Sequence, residues 1–272
     1  MKLRLLSDIH LELFKDPRKY IDQLINPRGD VLLLAGDIGN PTSNIYKSFI
    51  TEVAKYYNKV FIITGNHEYY QRYNRTNHEI YPKGERTFRY SMEDIDKITR
   101  CVTDDLPNVH FLQRDSFIYN RVRFLGCTLW SMADPNLTQY MNDYEMIQNM
   151  TANKSIELYE QNRKWLDEEL ALKSIDYDYT VVMTHHLPSY KLVSEKYINH
   201  RLNCFFANNL DNLVEKADIW VCGHSHIAKT ITIGKCRCYL NPVGYSNEYS
   251  GYDTECMIEV MLSDKTNQEQ NK

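Results

Sequence analysis

The sequence predicts an α/β fold in which two mixed β-sheets pack face to face as a sandwich and helices cover their outer faces, giving four layers. Two observations predict this class. Short apolar runs alternate with helical patterns, which is typical of βαβ units and parallel sheet. A second set of runs is joined by short polar turns, which is typical of antiparallel or mixed sheet.

The first set of runs is rich in Val, Ile and Leu and largely lacks polar alternation, as expected for strands buried on both faces. These runs cover residues 3–6, 31–35, 60–64, 180–184 and 219–222. Helices are predicted between them, over residues 44–57, 91–105, 151–173 and 204–216. The second set of runs covers residues 109–112, 117–119, 122–127, 230–233, 237–240 and 255–261. We expect one domain over residues 1–262 and a polar tail over 263–272, because no linker-like tract divides the chain.

The composition favours a cytoplasmic protein. The formal charge of −4 gives no global attraction for phosphate backbones, so nucleic acid is not indicated as a partner, although local basic patches stay open. The N-terminus carries charge where a signal peptide would have a small-residue cleavage site, and no apolar run reaches the roughly 18 residues of a membrane span. Seven scattered cysteines lack a zinc-knuckle spacing. We therefore expect reduced thiols and no membrane partner.

Metal-capable side chains follow directly after the five runs of the first set. The segments are Asp8-Ile9-His10, Gly36-Asp37, Gly65-Asn66-His67-Glu68, His185-His186 and Gly223-His224-Ser225-His226. Loops beyond the carboxyl ends of strands form the binding crevice of open α/β sheets, so these five loops are expected to converge. Taken singly, each motif is more typical of a capped turn or a solvated histidine pair. Six of the nine histidines lie in these segments, however, which makes chance placement a poor explanation.

The side chains in these segments suit a pair of metal ions. Imidazole suits Zn, Fe, Ni or Mn, and carboxylate and amide oxygens suit harder cations, so the mixture favours two borderline ions over a Cys-rich structural zinc. Two metals about 3.5 to 4 Å apart are the recurrent means of clamping the attacking and leaving oxygens of phosphoryl transfer. The glycines before Asp37, Asn66 and His224 permit the tight turns that direct these side chains into one pocket.

In this order, the five segments resemble the successive signature blocks of the calcineurin-like metallophosphoesterase superfamily. Similarity to small bacterial-type members extends through residues 124–130, 142–144, 184–189 and 241–245, so it covers nearly the whole chain. The resemblance implies the sandwich fold predicted above and metal-dependent hydrolysis of a phosphomonoester or phosphodiester. It also implies a small phosphorylated substrate and a cofactor of two divalent or mixed-valence metal ions, drawn from Mn, Fe, Zn and Ni.

The resemblance assigns a role to each matched residue. The residues expected to bind one metal are Asp8, His10 and His226. The residues expected to bind the other are Asn66, His185 and His224, and Asp37 is expected to bridge the two ions. His67 is then the catalytic histidine that binds no metal. Its implied role is to protonate the leaving oxygen or to stabilise charge on the phosphoryl group, while a metal-bridging hydroxide attacks phosphorus in line.

Some neighbouring residues are candidates for substrate contacts or for support of the ligands, namely Asn40, Glu68, Tyr69, Tyr70 and His186. Many family members carry Gly-Asp-x-x-Asp in the second block, whereas this chain has Asn40 at the last position. Asparagine offers a hydrogen bond without the charge that favours a protonated catalytic histidine. His186 is an alternative ligand to His185, because adjacent side chains point differently, and we favour His185.

The stretch over residues 69–90 is rich in Tyr and Arg and leaves directly from the third motif. Such a composition could stack bases and contact phosphates, or it could form a solvated loop. In either case it is expected to shape substrate access.

Other functions compete with a general phosphoesterase. A nuclease-type phosphodiesterase acting on nucleic acid or cyclic nucleotides is a close variant, but such enzymes usually carry capping or coiled-coil regions for which this chain is too short. A non-catalytic metal-binding scaffold or interaction protein belongs to a different class. Relatives of that kind tend to lose the histidine of the third block, and His67 is present. Zinc hydrolases of amides or thioesters are disfavoured only through the resemblance.

Overall fold

The computed structural model describes residues 1–13, 24, 29–71 and 88–261. The predicted tail over 263–272 and residues 72–87 of the Tyr- and Arg-rich stretch lie outside the described residues.

The strands of the described residues are numbered in chain order. They are β1 (Lys2–Leu6), β2 (Val31–Ala35), β3 (Lys59–Ile63), β4 (Val109–Phe111), β5 (Asp115–Tyr119), β6 (Val122–Cys127), β7 (Tyr179–Thr184), β8 (Ile219–Cys222), β9 (Lys229–Ile233), β10 (Cys236–Leu240) and β11 (Met257–Glu259). The α-helices are α1 (Asn44–Val53), α2 (Met92–Asp104), α3 (Asp143–Met146), α4 (Ala152–Ala171) and α5 (Asp211–Val214). Short 3₁₀ helices span Leu11–Leu13, His67–Tyr69, Pro135–Tyr140, Tyr190–Leu192, Glu195–Tyr197 and Arg201–Phe205.

The strands form two mixed sheets, which confirms the predicted sandwich. The first sheet has the order β11-β1-β2-β3-β4, in which β1 to β4 are parallel and β11 is antiparallel. The second has the order β5-β6-β7-β8-β10-β9, with parallel pairing at its centre and antiparallel strands at both edges. The two predicted sets of runs are not the two sheets, because β4 and β11 of the second set pair within the first sheet.

Apolar contacts on both faces of each sheet explain the unbroken apolar runs. In β2, Val31 and Leu33 face the second sheet and pack against inner side chains of β6, β7 and β8. Leu32 and Leu34 of the same strand pack under α1 and α2. The outer face of the second sheet is covered by α4 and α5 in the same way. A strand buried on both sides needs no polar alternation.

The continuous helix predicted over residues 204–216 is wrong. The chain forms the 3₁₀ helix Arg201–Phe205, crosses an extended segment and enters α5 only at Asp211. Asn208 lies in the break, where its side-chain amide donates to the carbonyl oxygens of Trp130 and Leu187. Asparagine favours such bonds to non-helical backbone over a helix interior, and here they hold the segment against the neighbouring loops.

None of the described helices is both long and apolar enough to cross a membrane.

The aromatic contact between the sheets yields a stability prediction. Phe61 on β3 and Phe124 on β6 are fully buried, and their rings stack with centroids 4.3 Å apart. Phe61→Ala should lower the free energy of unfolding by about 3–5 kcal/mol, through lost burial and the cavity that remains. Urea unfolding measures this change. Ile175→Ala is the control, since Ile175 is 90% exposed; equal midpoints for the two variants would contradict this account of the core.

Candidate metal centre

The five motif loops converge at the edge of the sandwich where β1, β2, β3, β7 and β8 end. Backbone hydrogen bonds connect loops from different strands. The amide of Asp8 donates to the carbonyl oxygen of Gly36 over 3.0 Å, and the amide of Gly223 donates to the carbonyl oxygen of His185 over 3.1 Å. The loops after β1 and β2 are thereby joined, as are those after β7 and β8.

Five of the predicted ligands have backbone torsions in the left-handed region. The φ angle is 52° at Asp8 and His10, 54° at Asp37, 68° at His224 and 49° at His226. Such torsions cost of order 1–3 kcal/mol each for residues other than glycine, and they persist where the surrounding structure enforces them. Five of the seven residues that the sequence marked for metal binding therefore carry this strain.

The ring of His185 joins the two sheets at this edge. It lies against Gly36 and Gly65, where an added Cβ would come within 2.5 Å and 2.7 Å of ring atoms. Its Nε2 lies 3.1 Å from Oδ1 of Asn66 and 3.3 Å from Oδ2 of Asp37. Glycine is needed at both positions because a side chain would occupy the place of the ring.

Two groups of potential ligands meet at the carboxylate of Asp37. In one group, Nε2 of His226 lies 3.1 Å from Nε2 of His10 and 3.4 Å from Oδ1 of Asp8. In the other, ligand atoms of Asp37, His185 and His224 lie within 4.8 Å of one another. Oδ2 of Asp37 is 3.9 Å from Nε2 of His10, so this carboxylate stands between the groups.

In each of the four histidines, the ring nitrogen that points away from the centre faces an oxygen atom. The pairs are His10 Nδ1 with Glu12 Oε1 at 3.4 Å, His185 Nδ1 with the Ala35 carbonyl at 2.9 Å, His224 Nε2 with the Phe205 carbonyl at 3.3 Å, and His226 Nδ1 with Glu248 Oε2 at 2.6 Å. Carbonyl and carboxylate oxygens only accept, so these nitrogens carry the hydrogen. The inward nitrogens are left to act as ligands, which is the arrangement of metal-binding histidines.

Electron-rich atoms therefore face one another inside the centre. His10 and His226 direct Nε2 atoms at each other, and Oδ2 of Asp8 is buried without a hydrogen-bond partner among the described residues. Crowded buried acceptors are unfavourable unless a positive charge lies among them. The donor set fits two metal ions, one on each side of the Asp37 carboxylate.

The pKa values also indicate that the buried carboxylates of the centre are stabilised by positive charge beside them. Burial by itself would raise the pKa of Asp37, but the positive charges of His185 and His67 hold it well below its ordinary value. Burial would lower the pKa of His185, but the carboxylates of Asp37 and Asp8 raise it to about 10. Protons balance these carboxylates when no metal is bound, and metal binding would release them.

A family model for calcineurin-like phosphoesterases matches residues 1–228 of the chain. The chain belongs to the calcineurin-like phosphoesterase family. This confirms the resemblance drawn from the five motifs.

Two further comparisons describe what this chain is similar to. An uncharacterized protein of Acanthamoeba polyphaga mimivirus is 26% identical over 287 aligned residues, which cover 95% of this chain and 96% of that protein. The solved structure of phosphopantetheinyl hydrolase from Mycobacterium tuberculosis aligns with a TM-score of 0.66 at 16% identity, covering 92% of this chain and 93% of that one. At that identity the similarity shows a shared fold.

His67 lies beside the predicted ligands and is held from three sides. Its Nδ1 is 3.4 Å from Oε1 of Glu12, its ring stacks on Tyr70 at 4.1 Å, and its Nε2 is 3.3 Å from the hydroxyl of Tyr245. Burial would lower the pKa of His67, but the charges of Asp37 and Glu12 together raise it above its usual value. The ring is thereby favoured in its protonated form.

Asn40 does not lie beside His67, where the resemblance places the aspartate of many family members. Its Oδ1 accepts hydrogen bonds from the amide and hydroxyl of Thr42, at 2.9 Å and 2.7 Å. The carboxylate that reaches His67 comes instead from Glu12, two residues beyond the end of the first block.

Of the other predicted supporting residues, two form hydrogen bonds that hold the surrounding structure together. Glu68 accepts from the backbone amides of Asp37, Ile38 and Gly65 and so ties two motif loops together. Tyr69 is buried, and its hydroxyl donates to Asp96.

Two more predicted residues lie within the site. Tyr70 lies over His67, as described above. His186 is buried against His224, with ring centroids 4.2 Å apart, while the adjacent His185 faces Asp37.

Three carboxylates of the site were not among the predicted site residues. Glu12 contacts His10 and His67, and Glu248 contacts His226. Asp143 accepts from Nδ2 of Asn66 at 2.8 Å, which turns Oδ1 of that amide toward the centre. Glu12 was marked only by its position next to the first motif, and Asp143 by a segment already similar to the family.

Two cavities open beside the centre. The Glu12 cavity, of about 590 Å³, is lined by residues that include Glu12, Leu13, Asn40, Met146, Ser246 and Asn247. The Tyr197 cavity, of about 440 Å³, includes the centre itself, because its lining contains the predicted ligands Asp37, Asn66, His224 and His226. Its other lining residues include Tyr140, Met141, Val193, Tyr197, Leu202 and Phe206. Both cavities share the lining residues His67, Tyr70, Asn142 and Tyr245.

Gly65→Ala tests whether His185 needs the space beside Gly65. The added Cβ would lie 2.2 Å from Oδ1 of Asp37 and 2.7 Å from the His185 ring, so we expect metal affinity to fall at least tenfold. Isothermal titration with Mn²⁺ measures the affinity. The control is Gly234→Ala, at φ 58° in the β9–β10 turn, which should cost stability without weakening metal binding. Equal affinities of the two variants would contradict this account.

Proposed function

We propose that this chain is a two-metal phosphoesterase that hydrolyses a phosphomonoester or phosphodiester with His67 as the general acid. The observation that carries the proposal is the pair of ligand groups on opposite sides of the Asp37 carboxylate, each with its lone pairs directed inward. Family membership supports the reaction class. The arrangement of charges supports a centre that is completed by cations.

Each proposed ion has its own set of protein ligands. The residues that would hold the first ion are Asp8, His10 and His226. The residues that would hold the second are Asn66, His185 and His224, and Asp37 would bridge both. Ions bound in this way would supply Lewis-acid activation of a water nucleophile and neutralise charge on the phosphoryl oxygens.

The chain's own contribution to bond cleavage is the proton on Nε2 of His67. Nδ1 faces the Glu12 carboxylate, which only accepts, so Nδ1 keeps its hydrogen. The second proton of the imidazolium then lies on Nε2. This nitrogen is 3.3 Å from the hydroxyl of Tyr245, a residue that lines both cavities. A leaving oxygen in that space would take this proton, a contribution of about 10²–10⁴ in rate.

Glu12 is the proposed replacement for the aspartate that many relatives carry at the position of Asn40. Burial would raise the pKa of Glu12, but hydrogen bonds with His10 and His67 lower it to about 2, so the side chain is ionised. One oxygen thereby holds a proposed metal ligand and the proposed acid together. We infer that Glu12 positions His67 and keeps its proton available.

Asp37→Ala and His67→Ala should separate metal binding from proton transfer. Asp37→Ala removes the bridge between the two ligand groups, so the purified protein should lose bound metal and all turnover. His67→Ala should keep two ions per chain and lose about 10²–10⁴ in kcat. Elemental analysis and turnover of aryl phosphate esters with Mn, Ni, Zn or Fe measure both properties. A wild-type protein that binds two ions yet hydrolyses no ester would favour the scaffold alternative.

Glu12→Gln tests the substitute carboxylate. The amide keeps the shape but loses the charge, so kcat should fall about 10-fold to 100-fold at saturating metal. The matched variant is Asn40→Ala, whose side chain contacts Thr42 rather than His67, and it should lose less than about threefold. A larger loss for Asn40→Ala than for Glu12→Gln would show that the aspartate position still acts on the histidine.

A further inference from the structure

The position of the two cavities bears on the substrate of the proposed reaction. His67 and Tyr245 line both the Glu12 cavity and the Tyr197 cavity, so the catalytic group lies where the two meet. A phosphomonoester has one organic group and would fill one cavity. A phosphodiester has two organic groups on the same phosphorus and could fill both.

The charge of the lining also favours a diester. Of the described residues that line the two cavities, none is a lysine or an arginine, while Glu12, Asp37 and Glu248 contribute carboxylates. A monoester carries close to two negative charges at neutral pH, because its second pKa is about 6, whereas a diester carries one. Beyond the proposed ions and the protonated His67, the described lining offers no lysine or arginine for the extra charge of a monoester.

The Tyr197 cavity has the walls of a site for a planar ring. Its aromatic residues include Tyr140, Tyr197 and Phe206, and the first two are 54% and 44% exposed. Arg201 lies over the Tyr140 ring at 4.8 Å and Lys196 over the Tyr197 ring at 5.1 Å. Exposed rings beside apolar side chains would stack on an aromatic or heteroaromatic group.

The Glu12 cavity differs in chemistry. Ser246 and Asn247 add hydrogen-bonding side chains to its wall, and Asn142 stands where the two cavities meet. Such a lining suits an uncharged group that carries donors, because the Glu12 carboxylate accepts only.

Building on the proposed function, we propose that the substrate is a phosphodiester with two different ester groups. One ester group carries an aromatic or heteroaromatic ring and lies in the Tyr197 cavity. The other ester group is uncharged, forms hydrogen bonds and lies in the Glu12 cavity. Hydrolysis consumes one water. The water oxygen bonds to phosphorus, one bond from phosphorus to an ester oxygen breaks, and that oxygen takes a proton. The products are one alcohol and one phosphomonoester.

The test compares three esters with the same leaving group on the Mn²⁺-loaded full chain. They are para-nitrophenyl phosphate, methyl para-nitrophenyl phosphate and bis-para-nitrophenyl phosphate. We expect kcat/KM for both diesters to exceed that for the monoester by at least about tenfold. When the leaving nitrophenyl group lies in the Glu12 cavity, only the bis-aryl diester has a second ring to stack in the Tyr197 cavity, so it should exceed the methyl diester by about threefold to tenfold.

Variants of each cavity locate the two groups. Tyr197→Ala should bring the ratio of bis-aryl to methyl diester close to one, and Tyr140→Ala provides a second variant of the same wall. Tyr190→Ala is the control, since Tyr190 is a 47% exposed tyrosine outside both cavities, and it should keep the wild-type ratio. Asn247→Trp should fill the Glu12 cavity and slow both diesters more than the monoester.

Three outcomes would overturn the proposal. Turnover of the monoester at least as fast as the diesters would refute the diester assignment and leave the phosphoesterase function standing. An unchanged bis-aryl to methyl ratio in both Tyr197→Ala and Tyr140→Ala would refute the aromatic site. Failure of the metal-loaded wild type to hydrolyse any ester would refute the proposed function, and this inference with it.

Discussion

The imidazole of His185 is the contact on which the rest of the site depends. It comes from the second sheet and fits between Gly36 and Gly65 of the first, where no side chain could stand beside it. Its two nitrogens contact both the backbone and the ligands of the first sheet. The loops after β2 and β3 already meet at one edge of the first sheet, and the ring holds the loop after β7 against them. The ring sets the spacing in which two ligand groups share one carboxylate.

On the opposite side of the centre, a glycine again allows a predicted ligand to lie directly against the backbone. Gly223 lies against Asp8, where an added Cβ would come within 2.5 Å of Oδ2, and the amide of His224 donates to Oδ1 over 2.9 Å. Close approach of backbone and side chain thus replaces ordinary packing at both points. The result is a cluster of buried acceptors and strained torsions that is costly by itself, and binding of cations would recover that cost. The stability of this part of the fold and the binding of the proposed cations are therefore coupled through charge.

Much of this organisation was predictable from the sequence. Buried strands reveal themselves as unbroken apolar runs, and motifs placed at their ends must meet at one edge of a parallel sheet. The seven proposed ligands and His67 all lie there. The assignment of strands to sheets was less accessible, because β4 and β11 are short and their partners are distant in sequence. The helix predicted over 204–216 failed because Asn208 bonds to loops that no local pattern reveals.

The supporting carboxylates were the hardest part to predict. A metal ligand can be recognised from its motif. The role of Glu12 or Glu248, in contrast, depends on which histidine nitrogen lies within hydrogen-bond distance of its carboxylate. Those distances follow only from the three-dimensional course of the loops. Asn40 illustrates the point from the other side. Its position in the second block suggests a partner for His67, yet its side chain closes a local turn with Thr42, a bond that asparagine readily forms. The negative charge beside His67 comes instead from Glu12, which lies just after the first block.

The central claim is that two cations complete this cluster, one on each side of Asp37. A crystal of the wild-type protein grown with Mn²⁺, with diffraction data collected at a wavelength where manganese scatters anomalously, tests it most directly. The account predicts two anomalous peaks, one among Asp8, His10 and His226 and one among Asn66, His185 and His224, both within ligand distance of the Asp37 carboxylate. A single peak, or a peak held by Glu12 and His67 in place of the second group, would contradict it.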